Sequence, residues 1–170
     1  KGLVMGEGAG ALVREGEEHA KQRGAEPIAY LTGWGLTTDA QHLTEPHGEG
    51  LGVRLAVERA LSRAGIGPGD VADIRALERV FDEALPTIPI SATKSMVGHL
   101  LGGAGAVEAI AVVCSLRDGK LHPSINVDEL DPALGDIDLV REARAARPRH
   151  ALKISAGFGG HNCALVFSVA

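Results

Sequence analysis

Two residues with complementary chemistry stand five positions apart in the run Ala92-Thr93-Lys94-Ser95-Met96-Val97-Gly98-His99-Leu100-Leu101-Gly102-Gly103-Ala104-Gly105. Lys94 is a permanent cation and His99 a titratable imidazole. Both precede a small, apolar stretch that reads as a helix, and backbone N–H groups at a helix start favour negative charge. Such a site holds a carboxylate or stabilises a developing oxyanion. A neutral His99 aimed into a pocket would serve a substrate carbonyl, with Lys94 adding electrostatics. A second run, Gly157-Phe158-Gly159-Gly160-His161-Asn162, lies between two strand-like segments. There a backbone N–H on a mobile loop becomes a donor, and Phe158 a gate over an apolar tunnel. Together the two runs point to acyl chemistry. The plainer alternatives are a surface lysine, a structural histidine at a helix start, and a flexible hairpin loop.

Other candidates carry less chemistry. Gly6-Glu7-Gly8-Ala9-Gly10 lacks the spacing of the dinucleotide fingerprint, and no phosphate-loop pattern occurs. It reads as close backbone packing, with Glu7 in a buried hydrogen-bonded pair. Asp39, His42 and His47 share one loop, but their spacing matches no zinc motif, so a solvated or substrate-entrance loop is preferred and no metal is expected. Cys114 and Cys163 sit in apolar helix and strand contexts and read as core residues rather than nucleophiles.

Several elements must position these groups. Leu3 to Val13 reads as two short strands, and Glu15 to Arg23 as a charged helix stopped by Gly24. Ile28 to Leu36 is β-like, and Thr37 to Gly52 is a loop. Apolar residues at Val53, Ala56, Val57, Ala60, Leu61 and Ala64 predict a helix ended by Gly65. A turn at 67–70, a helix over Arg75–Leu85 and a strand at Ile88–Ser91 follow. Gly103 to Leu116 is apolar almost all round and predicts a buried helix. Leu121 to Ile137 is a proline-containing excursion, and Ala151–Ala156 and Asn162–Val169 form a terminal hairpin. This alternation means α/β with a mixed sheet.

Composition bounds the rest. The 170 residues amount to one domain, with 45% apolar residues, only 3% aromatics, 23 glycines and a net charge of −5. There is no basic stripe, so nucleic-acid binding is not expected. No apolar run reaches membrane-spanning length, and no signal pattern opens the chain. It begins Lys1-Gly2-Leu3-Val4, which reads as an unnatural N-terminus inside a strand. Two cysteines make no disulfide framework, so the cytoplasm is the expected compartment.

Five pieces in order give the chain a family likeness: Val4-Met5-Gly6-Glu7-Gly8-Ala9-Gly10-Ala11, Thr38-Asp39-Ala40-Gln41-His42-Leu43-Thr44, Lys94-Ser95-Met96-Val97-Gly98-His99, Pro123-Ser124-Ile125-Asn126 and Gly157-Phe158-Gly159-Gly160-His161-Asn162. On these the chain resembles the C-terminal half of an elongating type II β-ketoacyl-acyl-carrier-protein synthase. The resemblance implies a thiolase-like fold, with two similar halves in α-β-α-β-α layers, this chain (1–170) being the second. It implies decarboxylative Claisen condensation of malonyl-carrier protein with an acyl thioester in fatty-acid elongation. It gives His99 the second histidine's role at the thioester carbonyl, Lys94 that of the family lysine, and Phe158 that of the gate and oxyanion donor, flanked by Gly157, Gly159 and Gly160. It implies no cofactor beyond carrier-bound phosphopantetheine thioesters, acyl-carrier protein as partner, and a homodimer.

The departures are as informative. The nucleophilic cysteine belongs to the family's first half. The first histidine lies in an Asn-Ala-His-Gly-Thr-x-Thr-Pro run that should follow Val71-Ala72-Asp73-Ile74, yet Ile74 passes directly into Arg75-Ala76-Leu77. About one loop's length is missing at the Ile74/Arg75 junction. Either the chain is truly cut or deleted there, or the sequence as written omits residues it possesses; the second reading is preferred, since losing a strand end and a catalytic loop should be severely destabilising. The chain alone is expected to be inactive. A polyketide ketosynthase and a non-catalytic partner resembling a chain-length factor are the alternatives. A coenzyme A-dependent thiolase relative fits less well, because Cys163 lies too far into its strand.

Overall fold

The computed structural model describes residues 4–42, 47–67, 77 and 80–170. In chain order the elements are helix α1 (Glu17–Gln22), strand β1 (Ala29–Thr38), α2 (Leu51–Ala64), β2 (Pro89–Ile90), α3 (Lys94–Val97), α4 (Ala104–Asp118), β3 (Lys120–Leu121), β4 (Asp138–Leu139), β5 (Arg144–Ala145), β6 (His150–Gly157) and β7 (His161–Val169). Gly65 closes α2 in the left-handed region, at φ +68°, as the sequence predicts.

Three layers follow from alternation along β7. Its Ala164 and Val166 pack with Ala56, Val57, Ala60 and Leu61 of α2. Its Leu165 and Phe167 face the opposite way, with Ala109, Val112, Val113 and Leu116 of α4. The sheet between the helices is antiparallel in the order β1-β7-β6, with Trp34 opposite Leu165 and Ser155 opposite Cys163. Two glycines set how closely α2 approaches. A Cβ on Gly35 would lie 1.8 Å from the Ala56 carbonyl oxygen, and one on Gly33 would lie 2.0 Å from that of Ala60. The helix therefore rests almost on the strand backbone.

The structure modifies several expectations. Among the described residues the three long strands pair antiparallel, and parallel pairing joins β2 with β4 and, as a single bridge, Met5 with His99, so the α/β architecture carries both pairing senses. Residues 4–13 form no strand beyond a single bridge from Met5 to His99, and Glu7 is exposed rather than in a buried pair. Close packing does hold there, since a Cβ on Gly6 would lie 2.1 Å from the Val97 carbonyl oxygen. β1 runs on through Thr37 and Thr38, which pair with Asn162 and His161. The predicted Arg75–Leu85 helix is seen as helical residues at 77 and 80–81 and then tightens into a 3-10 turn, Asp82–Thr87, where Pro86 supplies no N–H. Residues 68–70 of the predicted turn and the Ile74/Arg75 junction fall outside the described residues. Helix α4 is half-buried rather than buried: of its residues only Ala104, Glu108, Ala109 and Leu116 are shielded.

Candidate active site

Extended backbone delivers His99 to its position. Its N–H donates to the Val4 carbonyl at 2.7 Å, and its carbonyl accepts from the Gly6 N–H at 3.2 Å. Gly98, at φ +72°, turns the chain into this pairing beside Gly6, where a side chain would collide with backbone. The imidazole is then oriented by its own loop: the Leu101 N–H donates to Nδ1 at 3.0 Å. Nδ1 thus presents a lone pair to the backbone, and in a neutral ring the proton resides on Nε2. The free edge of His99 is accordingly an N–H donor, suited to a carbonyl or enolate oxygen. Helix α4 begins at Ala104, one residue past the predicted start at Gly103, and a 3-10 turn, Leu101–Gly103, separates His99 from it. The imidazole, rather than the helix dipole, meets that N–H.

Lys94 opens the short helix α3 and does not hydrogen-bond His99 among the described contacts. Its Nζ instead pairs with Oε1 of Glu108 on α4. The other oxygen of that carboxylate, Oε2, lies 3.1 Å from Nζ of Lys153 on β6. Lys153 and Glu108 are 5% and 8% exposed, so this is a buried carboxylate held between two ammonium groups. Lys153 also donates to Ser155 Oγ. The triad ties the Lys94–His99 segment to the strand that leads into the Gly157–Gly160 turn. All three residues, with Ser91, His122 and His150, line a cavity of about 590 Å³ between β2 and β6.

The sequence reading missed Glu108 and Lys153, although a signal was present. Glu108 is the single charged residue between Gly103 and Leu116, and Lys153 interrupts the apolar run Ala151–Ile154. A lone charge on an apolar element requires a buried partner.

Another matching piece holds α3 in place. Ser95 Oγ accepts the Ile125 N–H at 3.0 Å, the Asn126 side-chain amide donates to the Ser95 carbonyl at 3.2 Å, and Ser124 Oγ accepts the Ala92 N–H at 2.8 Å. The Pro123–Asn126 run is thus the brace of the Lys94 helix.

The Gly157–Gly160 turn is braced from the Asp39 loop. The Asp39 N–H donates to the Gly160 carbonyl at 2.8 Å, and Asn162 Nδ2 donates to Asp39 Oδ1 at 2.7 Å. Asp39 Oδ2 accepts the His47 N–H at 3.0 Å. Asp39 therefore works as a structural acceptor, and the described residues hold no cluster of three His, Cys, Asp or Glu able to hold a metal. Gly159 and Gly160 lie at φ +80° and +73°, conformations a glycine adopts freely. Phe158 projects outward and is 77% exposed. Burial pushes the Cys163 thiol above its ordinary value, which disfavours thiolate and agrees with its reading as a packing residue. Among the described residues no helix is long and apolar enough to cross a membrane.

With this geometry in view, residues 68–128 match the C-terminal domain of β-ketoacyl synthases. The chain is 44% identical, over 98% of its length, to the chloroplastic 3-oxoacyl-[acyl-carrier-protein] synthase II of Arabidopsis thaliana, of which it spans 34%. That alignment runs over 183 positions while 98% of 170 residues is about 167, so about 16 positions of the relative face no residue of this chain. Among solved structures, the ishigamide ketosynthase/chain length factor superposes with a TM-score of 0.91 at 32% identity, over 99% of this chain and 45% of that one. A type II polyketide acyl-carrier protein in complex with its ketosynthase superposes with a TM-score of 0.85 at 31% identity, over 92% of this chain and 42% of that one. The chain thus spans between a third and a half of the length of these relatives. By sequence and by fold, it belongs to the C-terminal portion of the β-ketoacyl synthase family, with the thiolase-like α/β architecture of its relatives.

Proposed function

We propose that this chain is the carbonyl-activating part of a 3-oxoacyl-acyl-carrier-protein synthase, completed by a portion that carries the nucleophilic cysteine. The observation that carries the reading is the orientation of His99, whose Nδ1 is occupied by the Leu101 N–H and whose Nε2–H is left as donor. In the reaction the acyl group is first held as a cysteine thioester. The C–C bond to the carboxylate of malonyl-carrier protein then breaks, CO₂ leaves, and the electron pair moves onto the thioester as an enolate. His99 Nε2–H hydrogen-bonds that enolate oxygen, and Lys94 adds positive charge at the same segment. The nucleophilic carbon attacks the acyl thioester, the backbone N–H of Phe158 receives the developing oxyanion, and the cysteine thiolate departs as the new C–C bond closes. The proposed reaction uses the carrier-bound phosphopantetheine thioesters and calls on no further cofactor.

The gap expected at Ile74/Arg75 is supported by the about 16 aligned positions that this chain lacks, one loop's length. The first histidine belongs in that loop. Acyl-carrier protein is the proposed partner and homodimerisation the proposed assembly, in the cytoplasm. A polyketide ketosynthase with the same chemistry is the second reading, favoured by the match to the ketosynthase of a type II polyketide system. The test is condensation of acyl- and malonyl-carrier protein. The 170-residue chain alone should give no ketoacyl product. A chimera joining it to the cysteine-bearing half of a relative, with the missing loop restored, should give product and lose it with His99→Ala. Product from the chain alone, or an unimpaired His99→Ala chimera, overturns the proposal.

A further inference from the structure

Lys153 is a buried amine that the reaction above does not use. Its ammonium lies against the first turn of α4, where a Cβ on Gly105 would be only 3.8 Å from Nζ. A helix start is an unfavourable place for a cation, so the position is tolerable only because Glu108 stands one turn further along. That carboxylate is divided: Oε1 goes to Lys94 and Oε2 to Lys153. The three groups together carry one surplus positive charge. Both lysines line the cavity, but Lys153 is only 5% exposed, whereas the Lys94 side chain is 46% exposed. The surplus is therefore expressed at Lys94.

We propose that Lys153 is a positioning residue for the Lys94–His99 segment: by occupying Oε2 of Glu108 it leaves the Lys94 ammonium only partly neutralised and anchors it to β6. The proposal rests on the role given to Lys94 above, and it concerns how that charge is set. Without Lys153, the whole carboxylate would be available to Lys94 and its charge would be cancelled. The other charged side chain lining the cavity is Arg147, and His122 and His150 complete its titratable lining.

Competitive acetylation of the 170-residue chain with acetic anhydride, read peptide by peptide by mass spectrometry, tests this without requiring condensing activity. Once Lys153 is gone, both oxygens of Glu108 can engage the Lys94 ammonium, which should hold its amine back from the reagent and slow reaction at Lys94. Lys153→Met should slow Lys94 acetylation about fivefold, a Coulomb effect reduced by the partial exposure of Lys94. Lys153→Arg, which keeps the charge, should restore the rate to within about twofold. Lys21, exposed on α1 and paired with Glu17, serves as the internal reference. Lys153→Gln provides the same reading should the methionine variant not fold. An unchanged Lys94 rate in either folded neutral variant overturns the proposal. So does failure of both neutral variants to fold while the arginine variant folds, because Lys153 would then be a structural charge alone. A slowed Lys94 in a chain whose chimera does not condense would leave the charge-sharing intact and remove only the catalytic reading.

Discussion

Replacing Glu108 by glutamine should expose how unequally its two partners depend on it. The substitution keeps shape but deletes the charge between Lys94 and Lys153. Lys153, 5% exposed, is left as a buried ammonium facing an amide and the Ser155 hydroxyl. Removing one partner of a buried pair costs about 3–5 kcal/mol. Lys94, with 46% of its side chain exposed, can turn to water, so its share stays below about 1 kcal/mol. The expected loss for Glu108→Gln is therefore about 3–5 kcal/mol, and close to the lower figure because the amide oxygen still accepts one hydrogen bond. That is a large part of a typical domain stability of about 5–15 kcal/mol. Urea unfolding followed by circular dichroism gives the difference. Adding Lys153→Met to Glu108→Gln should recover most of it, since the orphaned charge disappears, whereas adding Lys94→Met should recover less than about 1 kcal/mol. A Glu108→Gln loss below about 1 kcal/mol, or recovery by Lys94→Met in place of Lys153→Met, would refute the reasoning.

Gly35→Ala would place a Cβ 1.8 Å from the Ala56 carbonyl oxygen and push α2 off the sheet. Overpacking of this kind costs about 1–3 kcal/mol, so Tm should fall by several degrees, and an unchanged Tm contradicts the close α2–β1 approach. The Arg23 guanidinium holds the Glu15 carboxyl down from its ordinary 4.5 to about 2. The pair therefore supports α1 above about pH 4.5 and is lost as pH falls toward 2. Carbon-13 titration of the Glu15 carboxyl should show this midpoint, and Arg23→Gln should raise it; a midpoint near 4.5 in the unaltered chain contradicts the pairing. Because Glu15 lies at the surface, high salt should also raise the midpoint.

Local patterning was enough to read helix α2 and the β6–β7 hairpin. Ala56, Ala60 and Ala64 recur every fourth residue opposite Gly33 and Gly35, and the alternation along β7 puts Ala164 and Val166 on one face. The segment from Val4 to Val13 misled because glycine at 6, 8 and 10 serves close packing rather than pairing: the Val97 carbonyl, Leu100 and Ile110 sit where side chains would be. Periodicity cannot distinguish an apolar strand from an apolar strap laid across another element. Helix α4 misled differently. An apolar circumference predicts burial on every side, whereas only Ala104, Glu108, Ala109 and Leu116 of the helix are shielded.

At the site, residue types at Lys94, His99 and Gly157–Gly160 were readable from sequence, but their connections were not. The imidazole tautomer depends on an N–H two residues later, and the partner of Lys94 lies fourteen positions away on another element. The sequence suggests a solvated or substrate-entrance loop around Asp39 and does not show that Asn162 and the His47 N–H take up its carboxylate. Long-range pairing of this sort is set by packing, which brings β1, β7 and α4 together only in the folded chain.

Condensation by the chimera described above tests the central claim most directly. The assay is mass-spectrometric detection of ketoacyl-carrier protein, with His99 and His99→Ala versions compared at equal loading of the acyl-cysteine. The account predicts ketoacyl product from the His99 chimera and at least a hundredfold less, on the order expected for losing an oxyanion donor, from His99→Ala. Equal product from both would contradict the assignment of His99 as the group that stabilises the enolate.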